Sequence, residues 1–222
     1  MCGRFAITLP SDAMAQLFAA RPANDLPHVP NYNVCPTNDI HVVTAGAGDE
    51  PRLLGAMRWG FVPSWYKTPT DGPLLINARG ESIAEKPAFR KAARDRRGLV
   101  VASGFYEWTK TPEGERLPWY ITRRDGDPVV MAAIWQDWTG PEDTRLRTCA
   151  IVTTTASQAM SALHTRMPVV VAQPDWPLWL GEAGHGAAPL MRPAPEDALT
   201  WHRVGTQVNS NRASGSHLIE PL

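Results

Sequence analysis

The chain is poor in cysteine, in lysine and in surplus charge, and each shortage narrows what it can be. Its three cysteines, Cys2, Cys35 and Cys149, are widely spaced and form no CxxC pair, which excludes a disulfide framework and fits a reducing, cytoplasmic compartment. The six histidines show no HxxxH spacing, so no structural zinc site is expected. No apolar run reaches the length of a membrane span, and the first residues lack the basic and apolar segments of a signal peptide. Lysine and arginine together number 22 and so do aspartate and glutamate, giving a net charge of zero. That balance argues against a protein that coats nucleic acid indiscriminately but leaves room for a local basic groove. Internal repeats and low-complexity tracts are absent too.

What remains is a chain of 222 residues, 43% hydrophobic, of a size that suits one domain over residues 1–222. Nine tryptophans exceed what a core of this size needs, and 21 prolines imply fixed loops rather than long helices. Arginine greatly exceeds lysine, and its planar fork is the better phosphate holder. Hydrophobic periodicity predicts strands over 4–8, 39–44, 53–59, 99–103, 105–109, 118–122, 129–135, 148–155, 167–171 and 201–204. Helices are expected over 11–20, 87–96, 157–163 and 174–180, and a Pro/Asn-rich loop over 21–38. Extended backbone is expected over 74–81, and a flexible connector over 181–195. Many short, antiparallel strands with a few peripheral helices predict an α+β fold around a curved or barrel-like sheet.

The chain begins Met1-Cys2-Gly3-Arg4-Phe5. A small second residue is what methionine removal requires, and removal would leave Cys2 with a free α-amine beside its thiol. That pair can trap an aldehyde: the amine forms a Schiff base, and the neighbouring thiol closes a five-membered thiazolidine. Other polar residues interrupt apolar segments. Asn77 and Arg79 follow Leu74-Leu75-Ile76, Glu107 sits among Phe105, Tyr106 and Trp108, and His164 and Arg166 precede an apolar strand. A carboxylate among aromatics is partly desolvated, which raises its pKa and suits it to acid catalysis. Each also has an ordinary reading: a solvent-facing strand glutamate, a loop histidine, a turn asparagine. Arg4, Arg79 and Arg166 each lie two residues after Cys2, Asn77 and His164. On extended backbone that spacing presents both side chains to one side, a reactive group beside a phosphate holder. Trp59, Trp65 and Tyr66 flank the region as candidate base-stacking rings, although core packing is the simpler reading of Trp59.

Six motifs in order resemble the SRAP family, the SOS-response-associated peptidase or abasic-site processing proteins. They are Met1-Cys2-Gly3-Arg4-Phe5, Tyr32-Asn33-Val34 with Pro36, Trp59-Gly60 with Pro63 and Trp65, Ile76-Asn77-Ala78-Arg79 with Glu81, Gly104-Phe105-Tyr106-Glu107-Trp108, and His164-Thr165-Arg166-Met167-Pro168. The resemblance runs nearly end to end. It implies a single α+β domain that binds single-stranded DNA and cross-links Cys2 to the ring-opened aldehyde of an abasic site. It assigns Cys2 as nucleophile, Asn77 to positioning the N-terminus, and Glu107 and His164 to proton transfer. DNA would be held by Arg4, Arg79 and Arg166, with Pro36, Trp59, Trp65 and Tyr66 beside them. No metal or organic cofactor is needed, no membrane is involved, the chain is expected to act as a monomer, and a replication partner is left open. Cys35 departs from the small non-thiol residue often found before this proline and adds a second thiol near the site. Weak strand-cleaving lyase activity follows wherever a Schiff base forms and the thiol fails to close the ring. Two rival readings stay open, a cysteine peptidase or autopeptidase with Cys2 as nucleophile and a noncovalent single-strand reader.

Overall fold

The most apolar stretches of the chain pair with one another. Leu99, Val100 and Val101 lie against Ala132, Met131 and Val130, and buried on both faces they form the wall of a barrel. The computed structural model describes residues 2–222. Its strands are β1 (Phe5–Ile7), β2 (Ala20–Pro22), β3 (Asn31–Val34), β4 (Asp39–Thr44), β5 (Arg52–Trp59), β6 (Asn77–Arg79), β7 (Arg97–Ala102), β8 (Gly104–Lys110), β9 (Arg116–Arg123), β10 (Val129–Thr139), β11 (Arg145–Thr155), β12 (Arg166–Pro168) and β13 (Leu199–Arg203). The helices are α1 (Ser11–Phe18), α2 (Arg90–Asp95) and α3 (Trp176–Leu180).

Strands β11, β10, β7, β4 and β5 pair in that order, and a short parallel pairing of Cys149 with Trp59 joins β11 back to β5. The result is a closed five-stranded barrel, with β2 and β12 as outer neighbours of β5 and β11. A second sheet, in the order β13-β9-β8-β1-β3, packs beside it. Phe5 and Ile7 of β1 face the barrel core, and the Phe5 and Trp59 rings meet at 5.2 Å. Ala6, with Tyr106 of β8 and Tyr120 of β9, faces the other way, into a smaller cluster closed by Val204, Val208 and Leu218. The C-terminal segment therefore covers the outer face of this sheet, and the barrel covers its inner face. Gly104 opens β8 because nothing larger fits: a Cβ there would lie 2.5 Å from the Tyr120 ring.

The α+β, barrel-like expectation agrees with this architecture. Differences are local. The segment 21–38, expected as loop, contributes the end of β2 and all of β3, because pairing with β5 and β1 satisfies the backbone and outweighs the poor strand preference of Pro22, Asn31 and Asn33. The helix expected over 157–163 is reduced to a 3-10 turn, Met160–Ala162, and α2 begins at Arg90 rather than at Pro87. The strand expected over 167–171 is regular only as Arg166–Pro168, with Val170 adding an isolated bridge to Met131. The connector over 181–195 carries one 3-10 turn, Ala188–Leu190.

Candidate active site

The seam between barrel and second sheet collects the polar residues that interrupted apolar sequence. Residues 2–4 run beside β8, pinned where the Tyr106 N–H donates to the Arg4 carbonyl at 2.9 Å. Cys2 is fully buried, its Sγ 4.0 Å from Met131 Sδ of β10. Glu107 shares the inward face of β8 with Phe105 and is 2% exposed. Burial pushes its carboxyl above the ordinary value, and positive charges nearby, His164 and Arg116 among them, oppose that rise. The Cys2 thiol is pushed up as well, first by burial and then by the Glu107 charge.

Asn77 and His164 arrive on opposite sides of β11. Strand β6 pairs parallel to residues 151–153 of β11, and β12 pairs antiparallel to residues 153–155. Asn77 Nδ2 donates to the Cys2 carbonyl at 2.9 Å, and its Oδ1 is buried without a partner among the described residues. His164 Nδ1 lies 2.9 Å from the Arg166 backbone nitrogen and 3.2 Å from its carbonyl oxygen, which fixes the ring at the start of β12. All four residues assigned to the reaction by resemblance thus lie around one seam. Cys2 and Asn77 touch directly, and Glu107 is coupled electrostatically to both Cys2 and His164.

The three arginines have different fates. Arg4 Nη1 donates to Asn33 Oδ1 at 2.6 Å and to the Val208 carbonyl at 3.0 Å, and its guanidinium lies 5.8 Å from the Trp108 ring centroid. Arg166 makes a two-pronged pair with Glu81, both distances 2.9 Å, and Nη2 also reaches the Thr153 carbonyl and hydroxyl. A phosphate reaching Arg166 has to share it with Glu81, whose carboxyl burial raises but whose bonds to Arg166 and Thr155 bring down to about 2. Arg79 is exposed, with no ion pair among the described residues.

The aromatic candidates divide in the same way. Trp59 is fully buried, its Nε1 donating to the Ile76 carbonyl at 2.9 Å, so its ring belongs to the core and offers no surface for stacking. Trp65 is 58% exposed, with the half-buried Tyr66 edge-on at 6.4 Å. Pro36 is half-buried in the turn leading to β4, and Cys35 Sγ lies 3.3 Å from the Asn33 carbonyl, where the Arg4 charge acts on it. An open groove of about 410 Å³ is walled by Trp65, Asn77, Arg79, Lys86 and Phe89. Asn77 connects this groove to Cys2.

Two residues with structural weight carried no role in the sequence reading. Glu81 had a visible signal, as the acidic third member of the alternation Asn77-Arg79-Glu81. Asn33, which accepts from Arg4 and donates to the carbonyls of Ser210 and Ala213, had none beyond its place in a motif. Among the described residues no cluster of three or more His, Cys, Asp or Glu is arranged to hold a metal ion. Among them, too, no helix is long and apolar enough to cross a membrane. Removal of Met1 concerns a residue outside the described ones.

Comparison with known proteins agrees with the geometry. The family model described as SOS response associated peptidase (SRAP) matches residues 1–211. "Abasic site processing protein YoqW" of Bacillus subtilis is 31% identical over 227 residues, covering 99% of each chain. "Abasic site processing protein YedK" of Escherichia coli is 31% identical over 231 residues and the whole of both chains. A crystal structure of a protein from Bacteroides thetaiotaomicron superposes with a TM-score of 0.86 at 20% identity over the full length of both chains, a likeness of fold. With the match spanning nearly the whole sequence and relatives above 30% identity aligned end to end, this chain belongs to the SRAP family.

Proposed function

We propose that this protein processes abasic sites in single-stranded DNA by capturing the lesion covalently on Cys2 after loss of Met1. The observation that carries the reading is Asn77, which grips the Cys2 carbonyl at 2.9 Å and also walls an open groove with Arg79 and Trp65. A strand lying in that groove brings its lesion to residue 2. Relatives of similar length are named abasic site processing proteins, which supports the same substrate.

An abasic sugar rests mainly as a closed hemiacetal. Glu107, whose hold on its proton burial strengthens, gives that proton to the ring oxygen while His164 takes the proton of the anomeric hydroxyl, and the ring opens to the aldehyde. The Cys2 α-amine adds to the carbonyl carbon. The alkoxide oxygen regains the proton held by His164, and the added nitrogen returns one to Glu107; the carbinolamine then loses its hydroxyl as water with that Glu107 proton and becomes the iminium. Sγ then adds to the iminium carbon and its proton passes to a base, closing the thiazolidine. One water leaves for each adduct formed. Asn77 Oδ1, buried and unpaired among the described residues, is an acceptor suited to the α-amine.

The raised thiol pKa separates this route from peptide hydrolysis. A peptidase cysteine works as a thiolate, with its pKa lowered by a cationic neighbour. Here burial above all favours the neutral sulfur, which suits a thiol that acts second. Intact mass after incubation with an abasic oligonucleotide tests the proposal. Expected is protein lacking Met1, heavier by the oligonucleotide less one water. Turnover of a peptide in trans with no DNA adduct would overturn it.

A further inference from the structure

The groove beside Asn77 does not end there. At Trp65, Pro87 and Ala88 it meets a second depression, lined by Arg90, Lys91 and Arg96, and that one meets a third, lined by Arg90, Lys91 and Arg94. Shared lining residues make the three a continuous track from the candidate active site along the outer face of α2. The charge follows the track. Residues 79–97 hold seven basic side chains, Arg79, Lys86, Arg90, Lys91, Arg94, Arg96 and Arg97, against three acidic ones, a surplus of four in a chain whose net charge is zero.

Helix α2 explains how the surplus is presented. Phe89 and Ala92 turn inward, with the Phe89 ring 5.4 Å from Phe61, so Arg90, Lys91 and Arg94 are left exposed. Of the four nearby carboxylates two are turned to other uses: Glu81 is spent on Arg166, and Asp137, on the wall of the second depression, on Arg147 at 2.8 Å, while Glu85 is exposed. Asp95 meets Arg94 only at 3.8 Å, both strongly exposed, a geometry that contributes little. Such a surface matches a chain of phosphates, and Trp65 at the first junction offers a ring to an unpaired base.

We infer that α2 is a second single-strand binding segment, which holds the DNA flanking the lesion through phosphate contacts of Arg90, Lys91 and Arg94 and so extends the footprint on one side of the site. The inference rests on the reading of the groove beside Asn77 as the place of the lesion. It gives the active site a register. Phosphates seated on α2 limit how far the strand can slide, so a lesion at the correct distance is delivered to Cys2 rather than found by repeated binding.

Its test uses two series of abasic oligonucleotides, one lengthened only on the 5′ side of the lesion and one only on the 3′ side, with affinity measured against salt. For wild type, affinity and salt slope should grow along one series only. Each single-strand phosphate neutralised adds roughly 0.7 to the slope, so the three side chains should add about 2. The triple variant Arg90→Ala, Lys91→Ala, Arg94→Ala should lose that gain and bind the long oligonucleotide no better than wild type binds the short one. The variant Arg90→Lys, Arg94→Lys keeps the charge and should keep the gain, which separates lost phosphate contacts from a damaged fold. Equal growth on both sides, or a gain that survives the alanine substitutions, overturns the inference. A wild-type protein that forms no adduct with any oligonucleotide would sink the reading of the active site, while the length dependence would still decide the role of α2.

Discussion

Strand β8 buries a polar group on each of its faces and treats the two oppositely. On the outer face the Tyr106 hydroxyl donates to the Tyr32 carbonyl at 2.7 Å, and Trp108 Nε1 donates to Asn209 Oδ1 at 2.6 Å. Those groups are bonded as a core requires. On the inner face Glu107 is held in a desolvated site that raises its pKa, beside a thiol raised in the same way. The outer face spends its polar groups on holding β3 and the C-terminal segment. The inner face disfavours the ionised form of its carboxyl, so Glu107 retains a proton to higher pH than it would in water. Residues one apart on a single strand therefore meet different environments, and the proposed function gives them different tasks.

The largest effect expected from disturbing this division is at Cys2. Cys2→Ala should abolish the acid- and heat-stable adduct completely while leaving a borohydride-reducible imine and slow strand cleavage, since an α-amine remains. A stable adduct from Cys2→Ala on a denaturing gel would remove the sulfur from the mechanism.

Next comes the contrast within β8 itself. Glu107→Gln should slow single-turnover cross-linking by about 10²–10⁴-fold. Wild-type rates should fall as pH climbs past the raised Glu107 pKa, and the variant's profile should lose that limb. Stability should move the other way. A carboxyl whose folded pKa lies above its unfolded value stabilises the fold in acid, and that contribution disappears as pH rises through the folded value. Gln at this position should therefore raise Tm on the alkaline side, with the gain shrinking as the solution is acidified. Tyr106→Phe, by contrast, should cost roughly 1 kcal/mol of stability and leave the rate as it is. A rate loss in Tyr106→Phe equal to that of Glu107→Gln would erase the distinction between the faces.

The two tryptophans extend the comparison from one strand to the whole seam. Trp59→Ala should destabilise the protein by about 3–5 kcal/mol in denaturant unfolding, because the ring fills the core against Phe5. Trp65→Ala should leave the unfolding midpoint nearly unchanged and weaken single-strand binding by roughly 1–3 kcal/mol. Equal affinity in Trp65→Ala and wild type would detach the groove from DNA.

The smallest effect concerns the arginines. Arg79→Ala should lower the salt slope of binding by roughly 0.7. Arg166→Ala should change the slope less and Tm more, because the guanidinium already ties Glu81 to Thr153. Matching slope losses in the two variants would show that Glu81 gives way to phosphate when DNA binds.

Much of the site was legible because reactive residue types stood where solvation does not place them. Glu107 among aromatics and Asn77 after an apolar triplet drew notice for that reason, and the structure brings both to the seam with Cys2. The i, i+2 spacing of Cys2–Arg4, Asn77–Arg79 and His164–Arg166 was equally visible, but it carries no information about competitors. Whether an arginine is open to phosphate depends on which acceptors arrive from elsewhere, and Glu81, Asn33 and Val208 lie 85, 29 and 204 residues from the arginines they engage. The fate of Trp59 was undecidable in the same way, since alternation shows which residues share a face and not what covers that face.

By itself the sequence determined the local terms: strand periodicity over most of the chain, the amine and thiol that Cys2 would offer once Met1 is gone, and a basic surplus over residues 79–97. These depend on residue type and near neighbours, which a linear string states in full. Tertiary structure alone decided the closure of the barrel through Cys149 and Trp59, the burial that raises Glu107 and Cys2, and the alignment of three depressions into one track. Desolvation and long-range pairing belong to no single residue, because both are set by whatever the rest of the fold places within a few ångströms.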